Sequence, residues 1–67
     1  MSQLTDRLEY ARTMSGLSKA ALARRSGVHL RLVQKILAGE RPRPSAHTLH
    51  RLATALGVSV EWVLGET

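Results

Sequence analysis

Apolar residues fall along the chain in groups whose spacing is that of α-helices. Leu4, Leu8 and Ala11 recur at i, i+4 and i+7, and predict a first helix capped by Ser2, running to about Met14 and closed by Gly16. Leu22 and Ala23 mark the inner face of a second helix, Val28 follows a glycine, and Val33 and Ile36 form an i, i+3 pair on a third. Leu49, Leu52, Ala53 and Leu56 repeat at i, i+3, i+4 and i+7, which predicts a fourth helix capped by Ser45 and ended by Gly57. Ser59 is placed to cap a short fifth helix, with Glu61 near its positive end and Trp62 expected to be the largest contributor to burial. The pattern predicts an all-α chain of five helices. Leu32 and Leu37 lie off the Val33 and Ile36 stripe; packing against the first and fourth helices is the expectation for them.

The stretch from Leu17 to Gly39 organises the rest. Ser18 caps the second helix, and Leu17 before the cap can pack on Leu22 as a hydrophobic staple; Val58 and Val63 repeat that device around Ser59. No capping-box acid accompanies Ser18, because Ala21 occupies its position. Gly27 allows the chain to reverse in the left-handed region, and Ala23 is small enough for two helices to cross closely over so short a turn. A small residue, a glycine and then aliphatics at this spacing form the pattern of a helix-turn-helix, over about residues 18–38. An ordinary helical hairpin inside a core is the alternative. His29 stands where an N-cap Ser or Thr is favoured, so the third helix should begin at Leu30 with a weaker cap, or His29 faces a phosphate instead. With Val33 and Ile36 inward, Leu30, Arg31, Gln34 and Lys35 point outward or to the flank. Beyond Gly39, Arg41-Pro42-Arg43-Pro44 reads as an extended connection, since each proline removes a donor and biases the arginine before it away from helix.

Charge reinforces this organisation. From Lys19 to Arg43 the chain carries Lys19, Arg24, Arg25, Arg31, Lys35, Arg41 and Arg43 against Glu40 alone, whereas elsewhere Arg7, Arg12 and Arg51 are outnumbered by Asp6, Glu9, Glu61 and Glu66. The net charge of +5 is therefore one patch, coincident with the helix-turn-helix, as expected of a surface that meets a polyanion. A charged face kept for solubility is the bland alternative. Sixty-seven residues predict a single domain, 1–67, and aromatics at 3% leave the core to Leu, Val, Ala and Ile. Without cysteine, neither disulfides nor thiolate-bound zinc can staple the fold.

Other chemistries find little support. His47 and His50 stand at i, i+3 on the fourth helix with no third ligand evident, so no metal and no cofactor is expected. No Ser–His pair or carboxylate pair suggests an active site, and so small a helical domain has little room for a water-excluding pocket; an enzyme is not expected. No apolar run approaches the roughly 18 residues that span a bilayer, and MSQLTDRLEY has the polarity of a mature domain; the cytoplasm is the expected address.

Three pieces in order, LSKAALARRSGV, ILAGERPRPS and LHRLATALGVSVEWVLG, resemble the XRE family of phage repressor and Cro-like helix-turn-helix regulators over almost the whole chain. The resemblance implies a compact five-helix, lambda-repressor-like domain whose second and third helices form the helix-turn-helix. It implies sequence-specific binding of double-stranded operator DNA, most often by a repressor acting as a homodimer. It assigns base readout to His29, Leu30, Arg31, Gln34 and Lys35. Arg31 or Lys35 suits guanine, Gln34 adenine and Leu30 a thymine methyl. Lys19 takes the place of a family glutamine that touches phosphate, and Arg41 and Arg43 would contact the backbone or enter the minor groove. Many relatives carry glutamate in place of Leu37, paired with an arginine at the position of Arg12; here Arg12 lacks that partner and is free to bind phosphate or to bond carbonyls. The leucines of LRLVQKIL are a second departure: an exposed Leu30 or Leu32 would read thymine methyls or meet a protein. Pro44, Val58 and Val60 are the candidate dimer contact. An antitoxin or protein-interaction module using the leucine-rich third helix is the rival reading.

Overall fold

The computed structural model describes residues 3–40 and 43–66, which form five helices. Helix α1 (Gln3–Met14) buries Leu4, Leu8 and Ala11, the three residues its spacing singled out; the predicted Ser2 cap lies outside the described residues. Helices α2 (Lys19–Ser26) and α3 (Leu30–Leu37) follow, then α4 (Ala46–Leu56) and α5 (Val60–Leu64). Three serines start helices as expected. The Ser18, Ser45 and Ser59 hydroxyls accept from the N–H groups of Ala21, Thr48 and Trp62 at 3.0, 3.2 and 3.0 Å, each satisfying a donor that the first helical turn leaves unpaired.

The core is aliphatic and shared by all five helices. Leu8, Leu22, Val33, Leu52 and Val63, one from each helix, are its largest fully buried side chains. Helix α2 packs on α3 and α4, while α1 packs on α5 and α3, so the helix-turn-helix is held from both sides. Leu17 and Val58, which precede the caps of α2 and α5, are partly buried against this core, as staples require.

Trp62 is half-buried against the edge of the core, beside the fully buried Val63. There Arg7 lies over the indole, 5.0 Å from its centroid, and donates to the Trp62 carbonyl at 2.8 Å, tying α1 to the end of α5. Leu37 is buried but Leu32 is 40% exposed, so the pair expected to share one fate is split. Leu37 borders the inward stripe of α3 on the side where α1 crosses; Thr5 on α1 donates to the Ile36 carbonyl there, at 3.4 Å.

Candidate nucleic-acid interface

The turn between α2 and α3 is built from three residues with distinct tasks. Gly27 adopts φ of 74° and returns its N–H to the Ala23 carbonyl at 2.9 Å. A side chain there would carry the left-handed backbone cost, and its Cβ would lie 3.0 Å from the Arg51 guanidinium. Ser26 is the buried polar residue of the core among the described residues; its hydroxyl donates to the Ala23 carbonyl at 3.3 Å and accepts from the Val28 N–H at 3.2 Å. It therefore satisfies a backbone donor that the chain reversal would strand. Val28 then buries its side chain between the helices, and His29 starts α3. The role of Ser26 escaped the sequence reading, although a serine beside a turn glycine is the signal that could have found it.

Of the two roles held open for His29, the structure makes the cap. The His29 Nδ1 accepts from the Arg31 N–H at 3.1 Å and caps α3, while the ring as a whole remains exposed. Helix α3 then separates its residues sharply. Val33, Ile36 and Leu37 are buried, whereas Leu30, Arg31, Leu32, Gln34 and Lys35 are exposed. By helical periodicity Arg31 and Lys35 occupy the middle of the exposed face, with Leu30 and Gln34 along one side and Leu32 along the other. The five predicted readers thus share one continuous exposed surface. Leu32 borders it as a sixth member.

Lys19 is exposed at the first position of α2. Arg43 is exposed ahead of α4, and Arg41 lies outside the described residues. Neither Lys19, Arg24, Arg25, Arg31, Lys35 nor Arg43 forms an ion pair among the described residues, so their charges are available to a partner. Arg12 is different. Its Nε donates to Glu9, one turn earlier on α1, and its NH1 donates to the Leu17 carbonyl at 2.6 Å. Of the two roles left open for Arg12, the carbonyl bond is the one made, and Glu9 supplies the carboxylate that Leu37 does not. These two bonds join α1 to the start of α2, and we read Arg12 as a brace rather than as a DNA contact. Pro44, Val58 and Val60 are half-buried, the two valines against the core. His47 accepts from Arg51 at 2.9 Å through Nε2, which orients that arginine over the turn glycine.

A basic, exposed helix face held at a fixed angle by a second helix is suited to a groove lined with phosphates. Among the described residues no helix is long and apolar enough to cross a membrane. The sequence model of a helix-turn-helix family matches residues 8–63, which take in all of α2, α3 and α4 together with most of α1 and α5. With the turn geometry, the caps and the exposed face of α3 in agreement, the chain belongs to the XRE family of helix-turn-helix domains, a family of DNA-binding transcription regulators.

Proposed function

We propose that the chain is a repressor that binds a near-palindromic operator as a homodimer, with α3 lying in the major groove. The observation that carries this reading is the partition of α3: three buried aliphatics anchor it, and every predicted reader on it is exposed. Arg31 and Lys35 hydrogen-bond guanine O6 and N7, Gln34 pairs with adenine N6 and N7, and Leu30 lies against a thymine methyl. Lys19 and Arg43 hold phosphates and set the register, aided by the positive end of α2; Arg41 is assigned to the same task from the sequence alone. Two recognition helices related by a dyad would sit one DNA turn apart, roughly 34 Å. Pro44, Val58 and Val60 are the proposed dimer contact, and with so small a surface the two copies pair mainly on DNA.

The division of labour between α3 and α2 gives the test. Arg31→Ala should lose about 1–3 kcal/mol on the operator and relax preference at one base position, while Lys19→Ala should weaken specific and random duplexes alike. Equal losses on both kinds of DNA for both variants, measured by fluorescence anisotropy, would refute the assignment. A second reading is favoured by Leu30 and Leu32, 37% and 40% exposed on a face that otherwise suits water. Here the leucines dock a protein partner, as in an antitoxin. Replacing both by serine would then abolish co-purification with that partner and leave DNA affinity unchanged.

A further inference from the structure

Capping fixes the chemistry with which His29 meets its partner. The Arg31 N–H points at Nδ1, so Nδ1 must hold a lone pair, and in the neutral ring the one proton resides on Nε2. A ring flipped to place the proton on Nδ1 would set donor against donor and strand the Arg31 N–H at the first turn of α3. Arg24 lines the shallow groove between α2 and α3 together with His29. Nε2 has no hydrogen-bond partner among the described residues, and the ring is exposed next to Leu30 at the leading edge of the basic face.

We propose that His29 is a specificity-determining residue locked as a hydrogen-bond donor. Its Nε2–H meets an acceptor on a base edge (purine N7, guanine O6 or thymine O4) and discriminates against an amino group, adenine N6 or cytosine N4, presented at the same place. The other N-caps among the described residues, Ser18, Ser45 and Ser59, are serines whose short hydroxyls are consumed by the cap; His29 caps with one end and reads with the other. This assignment rests on the reading that the start of α3 faces DNA.

The test begins without DNA. In the free protein at a pH where the imidazoles are neutral, two-bond 15N–1H correlation of the histidine rings should place the His29 proton on Nε2, with the resonance assigned by its loss in His29→Ser; a proton on Nδ1 overturns the proposal. His29→Ser keeps a capping oxygen and removes the reach of Nε2, so its helical circular dichroism should match the parent while affinity for the duplex selected by the parent falls about tenfold. Unchanged affinity overturns the proposal. Replacing single purines by 7-deazapurine, guanines by 2-aminopurine or thymines by 5-methyl-2-pyrimidinone should weaken the parent but not His29→Ser at one position, which identifies the acceptor; such a response only to a methylphosphonate, or at no position, overturns the proposal. Arg31→Ala separates the two levels: its loss of operator preference with His29→Ser intact refutes the donor role alone, whereas a parent that selects no sequence refutes the DNA-facing reading along with it.

Discussion

Arg12 illustrates how a single side chain changes meaning once its surroundings are known. As a free arginine it belongs to a phosphate-binding set; bonded to Glu9 and to the Leu17 carbonyl it is a brace between two helices. Arg12→Ala should therefore destabilise the fold by about 1–2 kcal/mol in urea titration, through loss of charge-assisted hydrogen bonds, and leave DNA affinity per folded molecule unaltered. A selective loss of affinity without loss of stability would return Arg12 to the interface. Gly27 carries a second prediction. Its positive φ costs an alanine about 1–2 kcal/mol, while the Arg51 guanidinium that the new Cβ would approach is the mobile end of a long side chain. Gly27→Ala should lose that amount equally in an Arg51→Ala background, and relief in the double variant would mean that the contact, not the backbone, sets the cost. At this scale the sequence was legible where backbone geometry demands a residue type, as at Gly27 and the capping serines. It was illegible where a side chain chooses among several partners. Nothing in the spacing of Arg12 says that Glu9, rather than a phosphate, wins it.

Among the elements, α3 carries the clearest contrast. Ile36 is 2% exposed and Leu32 is 40% exposed on the same two turns of helix. Ile36→Ala should cost about 2–5 kcal/mol, a large part of the few kcal/mol expected of so short a domain, whereas Leu32→Ala should stay within about 0.5 kcal/mol. Similar losses would mean that Leu32 is buried in solution by a second molecule. The periodicity of α1 and α4 named their buried faces completely, because each has one broad apolar stripe. The eight-residue α3 holds four leucine or isoleucine residues and one valine, more apolar positions than its inner face can accommodate. Which of Leu32 and Leu37 goes inside is decided by where α1 crosses, a tertiary fact with no local signature. In the single turn of α5 the fully inward direction belongs to Val63, and the larger Trp62 packs half-buried beside it.

At the scale of the whole molecule, the basic residues concentrate on α2, α3 and the approach to α4, while Arg7 and Arg12 are spent on internal bonds. The positive charge that remains exposed thus lies largely where the charge pattern placed it, on α2, α3 and the approach to α4. Binding should weaken steeply with salt, and Lys19→Ala should lower the slope of log K against log salt by about one unit on any duplex. A slope unchanged by that substitution would remove Lys19 from the phosphate contacts. The dimer stands further from the sequence than any other element of the account, since Pro44, Val58 and Val60 are half-buried residues whose pairing depends on a second copy and on DNA to align it.

The central claim is that the exposed face of α3 reads bases. Selection of bound duplexes from a random library by the purified chain, at near-physiological salt, tests it most directly. The account predicts a palindrome with half-sites one helical turn apart, and an Arg31→Ala variant that loses preference at one position of each half. Recovery of unselective, salt-sensitive binding alone would contradict it, and would turn attention to Leu30 and Leu32 as a surface for a protein partner.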